Sequence, residues 1–182
     1  MAKVFLVEGP VGAGKSTFSD DLSHKVDAPH LNLDSWMARL FRPDRPTTGI
    51  IEWYLERKDR CVEQIWDVAL RVLNSKCDVI LELGLVQSEN RLQMYERIKE
   101  SGHEVLVYVL DSPRKERKER VRNRNLIKGT TFSMEVPDEI FEIASDMWEE
   151  PNDIEREEQE VIFVSQATAN KAFQRVSRGM RF

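Results

Sequence analysis

The chain has 182 residues, of which 41% are hydrophobic and 32% are charged, and its formal net charge is −5. These values fit one globular domain spanning 1–182 and disfavour a disordered or membrane protein, because no apolar run approaches ~20 residues. The negative charge disfavours nonspecific binding to nucleic acid and favours a small-molecule ligand. Two cysteines, Cys61 and Cys77, are too few for a disulfide framework and predict reduced thiols in or near the core of a cytoplasmic protein.

Apolar runs alternate with helix-length segments along the chain, and the sequence contains no internal repeat. The predicted strands are 3–8, 30–34, 79–83, 104–110 and 160–165. The predicted helices are 15–25, 35–41, 51–75, 88–101, one that starts at residue 113, and 137–148. Strands that alternate with helices predict a parallel sheet covered on both faces, which is a three-layer α/β fold.

The first strand is followed by "GPVGAGKST", in which Gly9 is separated by four residues from Gly14-Lys15-Ser16. This spacing between a strand and a helix matches the phosphate-binding P-loop. Backbone amides and the helix N-terminus would hold phosphate, Lys15 would reach the β- and γ-oxygens, and the Ser16 hydroxyl would ligate Mg²⁺. The predicted nucleotide-binding residues are Gly9, Pro10, Val11, Gly12, Ala13, Gly14, Lys15, Ser16 and Thr17, together with Arg117 further along the chain. The loop alone does not distinguish a kinase from a hydrolysing switch or a nucleotide sensor.

Two carboxylates end predicted strands near this loop. Glu82 ends the third strand, where it could hold Mg²⁺ or only cap the following loop. Asp34 closes the predicted second strand, where it could orient and deprotonate an acceptor hydroxyl. Asp34 could equally be the N-cap of the short helix that follows, with Ser35 as the other cap candidate. We favour the catalytic role for Asp34, because a kinase needs such a group near the γ-phosphate.

Charge is unevenly distributed in the second half of the chain. Residues 114–128 contain eight basic residues against two acidic ones, whereas residues 135–160 contain twelve acidic residues against one basic residue. Arg117, Arg120 and Arg124 share one helical face, from which they could neutralise a transferring phosphoryl group. We expect this segment, about 112–130, to form a lid over the nucleotide. The alternative is a surface helix with many ion pairs, and we expect Arg114 and Arg122 to be solvated.

Several aromatic and histidine side chains receive other interpretations. Trp66 belongs to a helical apolar stripe and is predicted to be core. Trp36 flanks the predicted substrate segment. His30 and His103 start predicted strands, away from the edge that carries the loops, so we do not expect either to be catalytic.

Six stretches together resemble the AAA-domain predicted kinases, which are small bacterial P-loop kinases similar to chloramphenicol phosphotransferase, gluconate kinase and the zeta toxins. The stretches are "VFLVEGPVGAGKST", "LNLDSWM", "LFRPDRP", "WYLERKDRCVEQIWDVA", "VILELG" and "DSPRKERKERVRNRN". The resemblance covers roughly residues 3–165. It implies a P-loop NTPase fold with a five-stranded parallel sheet in the order 2-3-1-4-5, a hinged helical lid, and ATP-dependent phosphorylation of a hydroxyl.

The resemblance also suggests roles for individual residues. Asp34 matches the presumed base, and Arg120 and Arg124 match the lid arginines. The segment that faces substrate supplies the candidate substrate residues Trp36, Arg39, Arg42 and Arg45.

The sequence departs from the family pattern at two positions. Position 82 is Glu where Asp is expected, and Glu8 precedes the P-loop where a small or neutral residue is usual. An acid at position 8 must be turned away from the phosphates or held by a cation. The C-terminal tail, about 166–182, lies outside the resemblance.

These patterns together predict a cytoplasmic enzyme that uses ATP and Mg²⁺ to phosphorylate a hydroxyl of a small molecule. One alternative is a kinase for a nucleic acid 5′-hydroxyl, which the net negative charge disfavours. The other alternative is a non-catalytic nucleotide-sensing module.

Overall fold

The computed structural model of the chain describes residues 2–129 and 132–165. The predicted tail at 166–182 and residue 130 of the predicted lid lie outside the described residues. Five parallel strands form one sheet in the order β2-β3-β1-β4-β5, which confirms the predicted architecture. The strands are β1 (Lys3–Glu8), β2 (His30–Asn32), β3 (Val79–Glu82), β4 (Glu104–Leu110) and β5 (Glu160–Val164).

Seven α-helices connect and flank these strands in the described part of the chain. They are α1 (Lys15–Val26), α2 (Leu33–Leu40), α3 (Ile50–Asn74), α4 (Ser88–Glu100), α5 (Arg114–Ile127), α6 (Asp138–Asp146) and α7 (Asp153–Glu158), with a 3₁₀ helix at Arg42–Asp44. None of these described helices is long and apolar enough to cross a bilayer.

Helices cover both faces of the sheet, and the alternation of side chains along each strand separates two cores. On one face, Val4 and Leu6 of β1 pack with residues of α2, α3 and α4, including the buried Trp66. On the other face, Phe5 of β1 and Ile80 of β3 pack with residues of α1. A third, smaller cluster joins α5 to α6 beside the loop after β1.

The structure corrects three details of the sequence analysis. Strand β2 ends at Asn32, so Asp34 lies in the first turn of α2 and does not close a strand. Helix α7 was not predicted, because its six residues are too few for a clear apolar period. Cys77 is exposed, in contrast to the buried Cys61.

Candidate active site

The loop between β1 and α1 is tightly curled against neighbouring backbone. Gly9 has φ +141°, and a Cβ at this position would lie 2.1 Å from the Leu110 carbonyl oxygen. Gly12 has φ +77°, and its Cβ would lie 2.7 Å from the Arg117 carbonyl oxygen. Side chains are therefore excluded at both positions, and glycine lets β4 and α5 approach the loop closely.

Lys15 begins α1 and turns back over the loop. Its ammonium donates to the carbonyl oxygens of Gly9 and Pro10 at 2.8 and 3.0 Å. Burial lowers the pKa of Lys15, and the negative charges of Glu82 and Asp34 oppose that effect. Lys15 is therefore positioned at the mouth of the loop, between two acidic residues.

Glu82 lies at the end of β3 and is held by three hydrogen bonds. The Ser16 hydroxyl donates to its Oε1 at 2.9 Å, and the Asn32 amide donates to its Oε2 at 2.7 Å. The His30 Nε2 also lies 3.0 Å from Oε2. Burial raises the pKa of Glu82, but the hydrogen bond from His30 and the charge of Lys15 outweigh burial, so the pKa is lowered. Glu82 is thus a buried carboxylate kept in its charged form.

His30 lies at this site, and the expectation that it would be remote from the loops is wrong. Strand β2 has only three residues, so the first one is still close to the edge of the sheet that carries the P-loop. The other ring nitrogen, Nδ1, lies 2.9 Å from Asp20 on α1. Burial opposes a charged ring, but the hydrogen bonds to Glu82 and Asp20 outweigh it and raise the pKa of His30. No signal in the sequence indicated this, because the strand was predicted to extend from residue 30 to residue 34.

The donors at this edge fit the chemistry of a magnesium ion bound with a nucleotide. Mg²⁺ prefers hard oxygen ligands and usually takes only one or two from the protein. The Ser16 hydroxyl and the Glu82 Oε1 are two such oxygens that lie 2.9 Å apart. No cluster of three or more His, Cys, Asp or Glu side chains within residues 2–129 and 132–165 forms a metal cage.

Asp34 lies in the first turn of α2, and Asn32 is the N-cap of that helix. The Asn32 Oδ1 accepts a hydrogen bond from the Ser35 amide at 2.8 Å, so neither Asp34 nor Ser35 caps the helix. Burial and then the charge of Glu82 raise the pKa of Asp34, whereas Lys15 and Arg124 lower it. Asp34 as a whole is nevertheless exposed, so its carboxylate is accessible to an acceptor although charged groups act on it.

Two lid arginines of α5 differ in their surroundings. The Nε of Arg124 is buried and has no hydrogen-bond partner among the described residues. The charges of Asp34 and Glu82 both act on the pKa of Arg124, although burial lowers it overall. Arg120 instead bonds to the Ser112 hydroxyl at 2.9 Å and pairs with Glu116 at 3.3 Å. Arg124 therefore reaches the acidic centre of the site, while Arg120 lies at its margin.

The Arg117 guanidinium is buried against the P-loop. It donates to the carbonyl oxygens of Ser112 and Val11 at 3.0 and 2.9 Å, and to the Ser145 hydroxyl at 3.1 Å. Arg117 therefore joins the lid helix and α6 to the backbone of the loop. Its predicted contact with nucleotide remains a prediction.

The basic and acidic segments of the sequence pair with each other. Arg114 binds Glu142 and Asp146, and Arg122 binds Asp138 through two hydrogen bonds. Lys118 on the same face of α5 lies 2.7 Å from Glu142. Arg114 and Arg122 are exposed, as expected, and each also pairs with carboxylates of α6, because α6 packs along this face of α5.

Two cavities that share lining residues lie beside α2, and the smaller one reaches the P-loop. The larger has a volume of about 660 Å³ and lies between α2 and the loop that follows α5. The smaller, about 280 Å³, shares Ser35, Trp36 and Ser133 with it and extends to Ser16. The larger cavity is lined by Ser35, Trp36, Ala38, Arg39, Leu40, Phe132 and Ser133.

The candidate substrate residues are divided between these cavities and the surface. Trp36 and Arg39 line the larger cavity. Arg42 lines neither cavity and donates to the Ser133 carbonyl oxygen at 2.8 Å, which connects the 3₁₀ helix to the cavity wall. Arg45 is exposed and lines neither cavity. Of the four candidates, two therefore face a space that could hold an acceptor.

Glu8, the acid that precedes the P-loop, lies on the opposite face of the sheet from Glu82 and points into the core. The Tyr95 hydroxyl lies 3.2 and 3.1 Å from its two oxygens, and the Arg91 Nε lies 3.6 Å from Oε2. Arg91 also makes two hydrogen bonds to Glu155, at 2.7 and 3.0 Å. Burial raises the pKa of Glu8 to about 8, against the opposing charge of Arg91. The acid is thus both turned away from the phosphates and held by a cation.

Solved structures with similar folds include two nucleotide-bound proteins and an unliganded sugar kinase. Kti12 of Chaetomium thermophilum in complex with ADP-AlF3 is 17% identical with a TM-score of 0.70, and the match covers 98% of this chain and 100% of that one. A sugar kinase of Janibacter sp. is 14% identical, with a TM-score of 0.66 and coverage of 98% and 94%. The APS kinase CysC of Mycobacterium tuberculosis, in complex with AMPPNP and APS, is 15% identical, with a TM-score of 0.66 and coverage of 97% and 96%.

At these identities the structural likeness shows a shared fold and not a shared reaction. No curated protein sequence matches the chain. The family model described as an AAA domain matches residues 4–151, which is well over half of the chain. This match confirms the resemblance seen in the sequence, and the chain belongs to the AAA domain family.

Proposed function

We propose that this protein is a kinase that transfers the γ-phosphate of ATP to a hydroxyl group of a small molecule, with Mg²⁺ bound beside the phosphates. The observation that carries the proposal is the position of Asp34. The positive charges of Lys15 and Arg124 act on its carboxylate, and no described side chain donates a hydrogen bond to it. Such a carboxylate is free to accept the proton of an incoming hydroxyl.

The raised pKa of Asp34 supports this role. Burial and the nearby Glu82 disfavour its charged form, so the carboxylate is a stronger base than an aspartate in water. A sensor that only binds nucleotide has no need for an unoccupied base at this point. The proposed reaction moves the hydroxyl proton to Asp34 while the acceptor oxygen forms the new bond to the γ-phosphorus. The bond from that phosphorus to the β,γ-bridging oxygen breaks, and ADP leaves.

The other residues have supporting roles in this proposal. Lys15 and the loop amides would hold the β- and γ-phosphates, and Arg124 would neutralise charge on the transferring group. Ser16 and Glu82 would hold Mg²⁺, which when bound supplies further charge neutralisation at the phosphates. Trp36 and Arg39 would contact the acceptor, because both line the larger cavity and Trp36 also lines the smaller cavity, which reaches Ser16.

The charge pattern of the lid favours a small acceptor over nucleic acid. Three basic residues lie on one face of α5: Arg114, Lys118 and Arg122. Carboxylates of α6 already pair with all three. A nucleic acid would need such cations free to bind its phosphates. The ion pairs of the lid therefore favour a small molecule over a nucleic acid as the source of the acceptor hydroxyl.

Transfer of labelled γ-phosphate from ATP tests this proposal. The acceptors would be pooled hydroxyl metabolites together with a 5′-hydroxyl oligonucleotide, which separates the two kinase alternatives. We expect a labelled small molecule from the wild type. We expect Asp34→Asn to lower its rate of formation by about 10²–10⁴-fold while nucleotide affinity is retained, because only the base is lost.

Asp44→Asn is the matched control, because Asp44 is also exposed and lies on the 3₁₀ helix that follows α2, outside the linings of both cavities. This variant should transfer phosphate at the wild-type rate. Release of free phosphate without any labelled acceptor, or equal rates for Asp34→Asn and the wild type, would contradict the proposal.

A further inference from the structure

Asn32 and His30 on β2 both bind the same oxygen of Glu82, and this arrangement involves residues that no sequence pattern assigned to the site. Asn32 and Glu82 are direct partners in the register of β2 and β3, so their side chains lie on the same face of the sheet. His30 lies two residues earlier on β2 and therefore shares that face. Asn32 donates to Oε2 at 2.7 Å and His30 donates to the same oxygen at 3.0 Å, so Oε1 is left to accept from the Ser16 hydroxyl.

We propose that His30 and Asn32 are positioning residues that lock Glu82, so that its Oε1 stays beside Ser16 where the magnesium ion of the nucleotide would be held. This inference rests on the proposed function, because it assigns the ion to Ser16 and Glu82. Glu has one more rotatable bond than the Asp expected at this position. Two donors on one oxygen restrain that additional freedom, and partners of this kind orient metal ligands in proteins.

The identity of each residue suits this task. Asn32 has an acceptor and a donor on one side chain: its Oδ1 caps α2 through the Ser35 amide, and its amide nitrogen holds Glu82. Asp at this position could make the cap but would repel Glu82. His30 has two ring nitrogens, of which Nε2 faces Glu82 and Nδ1 faces Asp20 on α1. One residue thus joins Glu82 to the helix that begins at the P-loop.

Two substitutions of His30 separate positioning from simple packing. The amide of Gln reaches about as far as Nε2, so His30→Gln keeps a donor towards Glu82. The amide of Asn reaches about as far as Nδ1, so His30→Asn keeps a contact only towards Asp20. The measurement is the affinity of a fluorescent ATP analogue as a function of Mg²⁺ concentration, which needs no turnover.

We expect His30→Asn to need about 10-fold more Mg²⁺ for the same increase in nucleotide affinity, within the range seen when such partners of a metal ligand are removed. His30→Gln should remain close to the wild type, as should the control His24→Asn, since His24 is exposed on α1. Affinity measured without Mg²⁺ should be equal in all four proteins.

An unchanged Mg²⁺ requirement in His30→Asn, or an equal increase in His30→Asn and His30→Gln, would overturn the inference. Failure of the proposed function has a different signature. In that case the wild type would bind nucleotide with the expected Mg²⁺ dependence but transfer no phosphate to any acceptor.

Discussion

Glu8 and Glu82 end neighbouring strands of the same sheet and are both almost fully buried, with exposed fractions of 2% and 5%. They differ in the direction that they face. The register of β1 and β3 pairs Leu6 with Leu81, so residues 8 and 82 point to opposite faces of the sheet. Glu82 faces α1 and the cavities, whereas Glu8 faces α4 and the core.

The surroundings of the two acids lead to opposite pKa shifts. Glu82 receives hydrogen bonds from Ser16, Asn32 and His30, and its pKa is lowered. Glu8 has one hydroxyl donor, Tyr95, and shares Arg91 with Glu155, so burial dominates and raises its pKa to about 8. Both acids are buried, so the hydrogen bonds and positive charges that offset burial decide whether each carboxylate is charged at neutral pH.

The largest effect on stability should come from removing Arg91, the cation that Glu8 and Glu155 share in the core. Arg91→Met would leave Glu8 and Glu155 buried without a positive partner. We expect the free energy of unfolding to fall by about 3–5 kcal/mol in urea denaturation. Arg60→Met is the control, because Arg60 and Glu56 form an exposed pair worth about 0–1 kcal/mol. Equal losses of unfolding free energy in Arg91→Met and Arg60→Met would contradict the inference that Arg91 stabilises the fold by pairing with Glu8 and Glu155.

A second test uses the proton on Glu8. Its pKa rises from 4.5 to about 8 on folding, so between these values the folded protein holds a proton that the unfolded chain does not. The contribution of Glu8 to stability therefore falls as pH rises, by about 1.4 kcal/mol per pH unit, and the loss is complete above the folded pKa.

The variant Glu8→Gln lacks this titration. Relative to the wild type it should become progressively more stable between about pH 5 and pH 8, as measured by urea denaturation across that range. The comparison isolates Glu8, because all other titrating groups are common to both proteins. Parallel stability curves for the two proteins would show that Glu8 does not bind the proton.

The smallest effect on stability should come from replacing Glu82, the acid that lies beside the P-loop helix. Glu82→Gln keeps the size of the side chain: its amide oxygen can accept from Asn32, and its amide nitrogen can donate to the Ser16 hydroxyl. We therefore expect a loss of only about 1 kcal/mol in the free energy of unfolding at neutral pH. The same change should remove most of the Mg²⁺ dependence of nucleotide binding. A large loss of stability with unchanged Mg²⁺ dependence would mean that Glu82 supports the fold and not the ion.

Much of the fold and part of the site could be predicted from the sequence. The glycine spacing at 9–14 predicts the tight loop, because only glycine accepts such close contact with neighbouring backbone. Apolar periodicity placed Trp66 in the core, where it is buried. The order of the strands followed from the resemblance to a family and is confirmed. These features depend on local spacing or on a shared family pattern, both of which a sequence carries directly.

What the sequence by itself determined is thus the loop, the alternation of strands and helices, and the presence of acids near the phosphates. Only the tertiary structure decided the partner of each acid. Tyr95 and Glu8 are 87 residues apart, and His30 and Glu82 are 52 apart, so no local pattern links them. The reason is physical: strand register and helix packing set which donors reach a buried carboxylate, and those donors set its charge.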